Sequence, residues 1–300
     1  MVPTIGVFGS ANMDQVVLVD RAPNRGETVT GRSFQQLVGG KGANQALASA
    51  RAGARVRMVG AVGDDAAGES IRSVLADDGL DTSGLVVVDG PSGTAHITVD
   101  GHGENSIVVV PGANGRVEAL TDDHRRAIEG CDVLLLQLEL PLPVVSEAMR
   151  YAHESGVRVM LTPAPAVPLS TNDLALVDVL VPNEHEAALL TGESDARTSA
   201  RALTDLGVSS VVVTLGGRGS LCVAGDEVIE VPAVRVEAVD TTAAGDTFAG
   251  CLAVALAEGR DRRTAMTWAT HAAALSVQKV GASTSMPTRA AIDAAYNEAE

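Results

Sequence analysis

Short apolar runs and longer amphipathic segments alternate along most of the chain. The apolar runs are typical of buried strands, and the amphipathic segments carry apolar residues at helical spacing. Glycine follows several of these segments, where it is well placed to end a helix. Strands that alternate with helices predict an α/β fold, in which helices cover both faces of a mostly parallel sheet. The predicted strands are 5–8, 57–62, 85–88, 133–138, 158–162, 179–181 and 210–214, and the predicted helices are 41–52, 64–78, 142–155, 184–191, 198–206, 247–258, 262–279 and 288–299.

One stretch follows a different pattern. Ala95, Ile97 and Val99 alternate with polar residues, which is the period of a half-buried strand. The segment 101–105 is rich in turn-forming residues, and the apolar run 106–110 returns after it. The pattern therefore predicts a β-hairpin in the middle of the alternating strands and helices.

This hairpin and the strands predicted at 16–19 and 28–38 would form a second, smaller sheet. We expect it to be a β lid, built from about 14–38 and 94–110, on a single α/β domain that spans 1–300. A small sheet with one apolar face cannot bury that face alone and needs a partner. The sequence therefore predicts a homodimer joined through the lid.

The composition narrows the possible partners. The chain has 300 residues, of which 46% are hydrophobic and 2% aromatic, so its core must consist mainly of Ala, Val and Leu. The formal net charge of −16 argues against nucleic acid and anionic membranes as partners, because both require a basic surface. ATP is not excluded, since Mg²⁺ and backbone N–H groups neutralise its charge locally.

The cysteines and the N-terminus favour a cytoplasmic protein. Cys131, Cys222 and Cys251 lie far apart, without the spacing of a disulfide framework or a zinc site. The first residues lack the basic region and the apolar segment of a signal peptide. No apolar run approaches the roughly 18 residues that a membrane-spanning helix needs.

The most informative stretch for chemistry is Asp240–Gly250. Its small residues Ala243, Ala244 and Gly245 precede a helix, and backbone N–H groups at a helix N-terminus attract anions. Asp246 is the one carboxylate in this electropositive position. Taken alone, Asp246 could be an ordinary helix cap.

The surrounding residues favour a catalytic role, because the stretch resembles the second signature of the ribokinase-like (PfkB) sugar and nucleoside kinases. Gly39–Ala46 resembles the first signature of the same family, and the two signatures occur in the family's order. The ribokinase branch is matched most closely. Further matching blocks are Asn12–Asp14, Gly26–Val29, Gly63–Asp65, Gln137–Glu139, Pro163–Pro165, Pro182–Glu184, Thr214–Gly216 and Gly281.

The resemblance implies that Asp246 is the general base and that the turn before it is an anion hole for phosphate. It also implies a sugar site, for which short carboxylate and amide side chains suit a ligand that offers only hydroxyls. The implied sugar-binding residues are Asn12, Met13, Asp14, Gly40, Lys41, Gly42, Ala43, Asn44, Glu139 and Asp246.

The family's nucleotide and cation sites can be carried over in the same way. The resemblance places Asn183 in the nucleotide site and Asp240 in the cation site, but taken alone Asn183 could be a helix cap and Asp240 a loop cap. In the helix that approaches adenine, Thr270 stands where the family commonly has Asn or His, with His271 next to it. The implied ATP-binding residues are Asn183, Glu186, Thr214, Leu215, Gly216, Gly217, Arg218, Gly219, Ala244, Gly245, Asp246 and Thr270, and the implied potassium ligands are Asp240, Thr242, Ser276, Lys279, Gly281 and Ser285.

The expected activity is therefore the ATP- and Mg²⁺-dependent phosphorylation of D-ribose at its 5-hydroxyl, with K⁺ as an activator. Two alternatives remain open. The substrate could be another sugar or a nucleoside, such as deoxyribose, fructose or adenosine. The chain could also be a non-catalytic sugar-binding regulator with the same fold, although the intact Asp246 and its turn argue against this.

Overall fold

The computed structural model of the chain describes residues 1–102 and 104–298. No helix in this described part is long and apolar enough to cross a membrane. The strands are β1 (Thr4–Phe8), β2 (Asn12–Leu18), β3 (Ser33–Gly39), β4 (Arg55–Gly63), β5 (Asp81–Val88), β6 (Gly93–Val99), β7 (Asn105–Val110), β8 (Val133–Leu136), β9 (Arg158–Leu161), β10 (Val179–Leu180), β11 (Ser210–Thr214), β12 (Ser220–Ala224) and β13 (Glu227–Val231). The α-helices are α1 (Lys41–Arg51), α2 (Ala66–Asp77), α3 (Asp122–Ile128), α4 (Leu142–Glu154), α5 (Thr171–Leu174), α6 (Glu184–Thr191), α7 (Ala196–Asp205), α8 (Ala244–Ala257), α9 (Arg262–Ser276) and α10 (Arg289–Asn297).

The large sheet has nine strands in the order β13-β12-β11-β10-β9-β8-β1-β4-β5. In this sheet, β11, β10, β9, β8, β1, β4 and β5 all run parallel to one another. The edge strands β12 and β13 are added antiparallel, β12 to β11 and β13 to β12. Separate hydrophobic clusters pack against its two faces, one around Trp268 and Phe248 and the other around Leu134 and Met149. The predicted α/β fold with a mostly parallel sheet is confirmed.

The hairpin β12–β13 was not predicted from the sequence. Its strands are joined by the two-residue turn Gly225–Asp226, in which Gly225 has a positive φ of 57°. A Gly-Asp pair between apolar runs is a hairpin signal. The hairpin could therefore have been read from the sequence, as an antiparallel edge added to the parallel sheet.

The small sheet has four strands in the order β3-β2-β6-β7, and β6 and β7 form the predicted hairpin. Gly103, in the predicted turn, lies outside the described residues, as do 299 and 300 at the end of the last predicted helix. β3 starts at Ser33 and not at 28. The chain before it turns at Gly26, whose φ is 80°.

The helix that carries Asp246 starts earlier than predicted. α8 begins at Ala244 and not at Thr247, and Ala243 before it adopts a left-handed conformation with φ 57°. Among the described non-glycine residues only Ala243 has a positive φ, which costs free energy for a residue with a Cβ. The run of small residues is thus both the turn and the first helical turn, so Asp246 lies inside the helix.

Candidate active site

The predicted functional residues gather at the carboxyl ends of the parallel strands, where ligands bind in sheets of this kind. Here the N-termini of α1 and α8 lie side by side. The two helices pack very closely, since a Cβ added to Gly250 of α8 would lie 2.7 Å from the carbonyl oxygen of Gln45. This close packing brings the first signature of the sequence against the second.

Asp246 lies in the first turn of α8 with only 8% of its surface exposed. Its Oδ2 accepts a hydrogen bond from Asn44 Nδ2 at 3.1 Å, and its Oδ1 accepts one from Gln45 Nε2 at 3.0 Å. Burial raises the pKa of Asp246, while Lys41 and these two amides act in the opposite direction. The site therefore holds a buried carboxylate in a fixed orientation, as a general base requires.

Lys41 is the cation at the centre of this site. Burial opposes its charge, yet the carboxylates of Asp246, Glu139 and Glu186 prevail and raise the pKa of Lys41 above its ordinary value. Lys41 therefore remains charged within this group of carboxylates.

The end of the site at which the sequence predicts sugar binding is formed by β2 and by the segment that follows β8. Glu139 Oε2 accepts hydrogen bonds from the Ser10 hydroxyl and from the Lys41 backbone N–H, at 3.0 Å for the latter. Asn12 is buried, and its Oδ1 accepts a hydrogen bond from Asn114 Nδ2 at 2.8 Å. Asn114 was not predicted from the sequence, and no motif marks it.

Asp14 lies at this end with its Oδ1 buried and without a hydrogen-bond partner in the described residues. Burial, and then the charge of Glu139, raise the pKa of Asp14 to about 7. A Cβ at Gly39 would lie 2.0 Å from Asp14 Oδ2, so glycine at 39 makes room for this carboxylate. A buried acceptor with a free oxygen is well suited to a sugar hydroxyl.

The remaining residues predicted to bind sugar contribute to packing: two are buried in the hydrophobic core, and two are glycines where the backbone passes close to other atoms. Met13 and Ala43 are buried in the hydrophobic core. Gly40 has φ 86°, and a Cβ at Gly42 would lie 2.6 Å from the backbone of Ser10. These residues allow the start of α1 to approach β1 closely and place Asn44 and Lys41.

A cavity of 670 Å³ lies between the second signature, the turn after β11 and one face of α9. Leu215 and Arg218 do not line it, and the guanidinium of Arg218 instead pairs with Glu184. The predicted ATP-binding residues that line this cavity are Thr214, Gly216, Gly217, Gly219, Ala244, Gly245 and Thr270.

The structure resolves which residue of α9 faces the cavity. Thr270 lines it, and the Thr270 hydroxyl donates a hydrogen bond to the Met266 carbonyl oxygen at 2.8 Å. His271 faces away and packs edge-on against Tyr296, with 5.8 Å between the ring centroids. Thr270 is therefore the side chain at this position that can contact a base in the cavity.

Much of the cavity wall was missed at the sequence level. The segment 233–238 has no regular secondary structure, and no motif marks it. The residues from α9 could have been found, because they follow Thr270 at helical spacing. The unpredicted lining residues are Ala233, Val234, Arg235, Val236, Ala238, Thr241, Phe248, Ala273, Ala274 and Val277.

Asn183 and Glu186 form a capping box at the start of α6. Asn183 Oδ1 accepts from the Glu186 N–H, and Glu186 Oε2 accepts from the Asn183 N–H, both at 2.8 Å. Asn183 is thus a helix cap, which is one of the two interpretations that the sequence left open. Burial raises the pKa of Glu186, while the Asn183 N–H and the charge of Lys41 act in the opposite direction.

Within the predicted cation site, the loop with Asp240 and Thr242 contacts the loop with Gly281, and Ser276 is the last residue of α9. Asp240 Oδ2 accepts a hydrogen bond from the Gly281 N–H at 2.8 Å, and Asp240 Oδ1 accepts from the Thr242 N–H at 2.9 Å. The Lys279 N–H donates to the Ser276 carbonyl oxygen at 3.2 Å. Ser285 is buried on the second loop.

Comparisons with known proteins agree with this geometry. The family described as pfkB family carbohydrate kinase matches residues 3–289. Ribokinase from Bacillus subtilis is 45% identical over 287 residues, covering 95% of this chain and 96% of that protein. Deoxyribokinase from Salmonella typhi is 37% identical over 294 residues, covering 95% of each chain. The structure of Arabidopsis thaliana ribokinase complexed with ribose and ATP matches with a TM-score of 0.92 at 35% identity, covering 99% of both chains.

Proposed function

This chain belongs to the pfkB family of carbohydrate kinases, and from that premise we propose that it phosphorylates D-ribose at the 5-hydroxyl with ATP. The observation that carries the proposal is the buried carboxylate of Asp246, which accepts hydrogen bonds from Asn44 and Gln45. Asp246 directly follows Gly245, which lines the 670 Å³ cavity. Ribokinases are similar over nearly the whole chain, and one of them was solved with ribose and ATP bound.

In the proposed reaction, Asp246 accepts the proton of the 5-hydroxyl as that oxygen attacks the γ-phosphorus of ATP. The P–O bond to ADP breaks as the new P–O bond forms. The first N–H groups of α8 have no intrahelical partner, so they can stabilise the charge on the transferred phosphoryl group. Lys41 supplies positive charge at the same place. Most of the rate enhancement in such transfers comes from positioning and charge stabilisation.

The residues also suit a magnesium ion that enters with ATP. Magnesium prefers oxygen ligands and usually keeps several waters, so one carboxylate at the phosphate end is adequate. Glu186 is the proposed carboxylate, at the start of α6, where its Oε2 accepts a hydrogen bond from the Asn183 N–H at 2.8 Å. When bound, the ion would neutralise phosphate charge.

The decisive test is a coupled assay of ATP consumption with D-ribose, deoxyribose, fructose and adenosine. D-ribose should give the highest kcat/KM. A higher value for deoxyribose, the substrate named for a 37% identical relative, would reassign the sugar but keep the reaction class. Sugar binding without turnover of any substrate would favour the regulatory alternative.

We further propose that 1–300 form one domain, with the small sheet as its lid, in the cytoplasm. The register of β2 and β6 supports the lid, because Asp14 of the sugar site lies on the small sheet opposite Ala95. Cys131, Cys222 and Cys251 are unpaired and buried, which fits a reducing compartment.

The two loops around Asp240 suit a potassium site. Their carboxylate, hydroxyl and carbonyl oxygens are ligands that hard cations prefer. The loop that carries Asp240 and Thr242 lies directly before the proposed anion-hole turn, so a bound ion would order that turn. KCl should raise both activity and Tm above NaCl and choline chloride at equal ionic strength, and equal values in all three salts would leave Asp240 as a loop cap only.

The proposed homodimer uses the apolar face of the small sheet. Ile107 and Val109 pair with Ile97 and Ala95 across the β6–β7 ladder, so they extend that face. Ile107 is 51% exposed and Val109 is 50% exposed. A two-fold partner would offer the same patch in return. The double variant Ile107→Asp, Val109→Asp should therefore be monomeric by light scattering at micromolar concentration.

Val108 provides the matched control for this pair. It lies between Ile107 and Val109 but on the opposite face of β7, and it is 65% exposed. Val108→Asp should leave the dimer intact while adding the same type of charge. A wild-type protein that is monomeric would refute the homodimer. Dissociation by Val108→Asp alone would place the interface on the other face.

Asp14 predicts a pH-dependent sugar affinity. Because its pKa is raised from 3.8 to about 7, Asp14 is mostly protonated at pH 6 and mostly ionised at pH 8. The ionised form accepts hydrogen bonds from sugar hydroxyls more strongly. The Kd for ribose should therefore fall about tenfold between pH 6 and pH 8, with proton release on binding. Calorimetry in two buffers of different ionisation enthalpy measures both effects.

The raised pKa of Asp14 has the opposite effect on stability, because the free energy of unfolding falls with rising pH while ribose affinity increases. The folded state keeps the Asp14 proton up to about pH 7, whereas the unfolded state loses it near 3.8. In the ligand-free protein this group therefore lowers the free energy of unfolding progressively as pH rises through that window. Asp14→Asn should flatten both pH dependences, and an unchanged ribose Kd profile in this variant would rule out Asp14 as the titrating group.

A further inference from the structure

The carboxylate of the proposed base, Asp246, accepts a hydrogen bond from Gln45 as well as from Asn44. Gln45 lies one position after Asn44 on α1 and is fully buried. Its Nε2 donates to Asp246 Oδ1 at 3.0 Å and to Thr162 Oγ1 at 3.2 Å. Both hydrogens of this amide group are therefore used, one of them on the reacting carboxylate.

Gln45 is in turn oriented by a second buried amide. Gln137 lies directly after β8 and is also fully buried. Its Nε2 donates to Gln45 Oε1 at 2.6 Å. An amide that donates to a carboxylate must turn its oxygen away from it, and Gln137 binds that oxygen. The arrangement fixes the Gln45 amide in one of its two possible orientations.

We propose that Gln45 is a positioning residue for the general base Asp246, and that Gln137 holds Gln45 in the orientation which this role requires. The chain of contacts joins the segments after β8 and β9 to the start of α8. Gln45 thereby fixes the direction of Oδ1 and stabilises the charged form of the carboxylate. Asn44 binds the other oxygen, Oδ2, and lies against the sugar site.

A hydrogen bond to the ionised Asp246 carboxylate matters because its other surroundings mostly favour the protonated form. Burial raises the pKa of Asp246, and the charge of Glu139 beyond β8 acts in the same direction. Lys41 on α1 and the amides of Gln45 and Asn44 lower it. Removing one of the three favourable partners should leave more of the base protonated at neutral pH. The rate should then be lost mainly at low pH.

This role rests on Asp246 being the general base, and the test separates the two assignments. In Gln45→Leu, the pH at half-maximal kcat should rise by about one to two units, the size expected for one hydrogen bond to a carboxylate. The fractional loss of kcat relative to the wild type should be largest at the acidic end of the profile and should shrink as the pH rises. KM for ribose should change by less than about threefold, since Gln45 does not reach the sugar.

Two further variants keep the test valid if Gln45→Leu does not fold. Gln45→Glu preserves the shape but places a second carboxyl beside Asp246, so it should shift the pH profile upward still more. Gln137→Leu leaves Gln45 in place but frees its orientation, and should give a smaller shift in the same direction. Thermal unfolding identifies the folded variants.

Ser49→Ala is the matched control. Ser49 lies one turn further along α1, and its hydroxyl donates to the carbonyl oxygens of Gln45 and Gly250 at 2.8 and 3.3 Å. This variant disturbs the same α1–α8 interface without touching the Asp246 carboxylate, so it should lower Tm and leave the pH profile unchanged.

The outcomes are distinct. If Asp246→Asn stays active, the general base lies elsewhere and the proposed function must be revised. If Asp246→Asn is inactive but folded Gln45 and Gln137 variants keep the wild-type pH profile, or lose kcat equally at every pH, the positioning role is refuted. An equal pH shift in Ser49→Ala would assign the effect to helix packing.

Discussion

Asp246→Asn should lower kcat by about 10²–10⁴-fold, the contribution typical of a general base. The change removes the proton acceptor while keeping the size of the side chain. KM for ribose should stay within about threefold, because the variant changes neither the size of this side chain nor the other proposed sugar-binding residues, such as Asp14 and Glu139. Steady-state kinetics with ribose and ATP, together with ribose binding by calorimetry, measure the two quantities separately.

The structure indicates that this variant will fold. The introduced amide would face two amide donors, Asn44 Nδ2 and Gln45 Nε2, where the carboxylate accepted from both. Asn44 can resolve the conflict by rotating its amide, since its Oδ1 has no hydrogen-bond partner in the described residues. Gln45 cannot, because Gln137 holds its oxygen. The loss of a buried charge also offsets part of the cost.

Asp261→Asn is a suitable control for Asp246→Asn. Asp261 caps the next helix, α9, by accepting from the Thr264 N–H at 3.0 Å, and it is exposed. Its replacement by Asn keeps a capping residue and should leave kcat unchanged. A folded Asp246→Asn protein that retains more than about a tenth of the wild-type kcat would contradict the assignment of Asp246 as the base.

The sequence predicted the large sheet because its signal was strong and local. Each parallel strand buried on both faces is a continuous apolar run, and the helices between them end at glycine. Of the elements that were missed, α3 lacks this signal, whereas β12 and β13 have a hairpin signal that was not used. α3 (Asp122–Ile128) is short and polar, with four charged residues in seven. β12 and β13 follow a glycine-rich turn that was interpreted only as a nucleotide loop.

For the site, the sequence predicted the residues that lie in motifs but not those that depend on tertiary packing. The motifs marked the residues that are proposed to carry the chemistry, and the structure brings Asn44, Glu139 and Asp246 into one region. The same motifs could not show that Gln45 holds the base, because that depends on the packing of α1 against α8. The irregular segment 233–238 has no periodicity, so its part in the nucleotide cavity follows only from the tertiary structure.

Asn44→Ala should reduce both kcat and sugar affinity, because the structure gives the two ends of this amide different partners. Asn44 Nδ2 donates to Asp246 Oδ2 at 3.1 Å, whereas its Oδ1 is buried and without a partner, available to a sugar hydroxyl. Losing a hydrogen bond of this kind costs about 1–3 kcal/mol. We therefore expect about a tenfold loss in kcat and about a tenfold rise in KM for ribose, or about a hundredfold in kcat/KM.

Glu139→Ala provides the contrast that makes this result interpretable. Glu139 binds the Ser10 hydroxyl and the Lys41 N–H and makes no hydrogen bond to Asp246. Its removal should raise KM for ribose, and any change in kcat should be smaller than that in Asn44→Ala. Removing the repulsive charge of Glu139 even favours ionisation of Asp246. If Asn44→Ala instead raises KM alone and matches Glu139→Ala in kcat, the contact between Asn44 and Asp246 does not contribute to the chemical step.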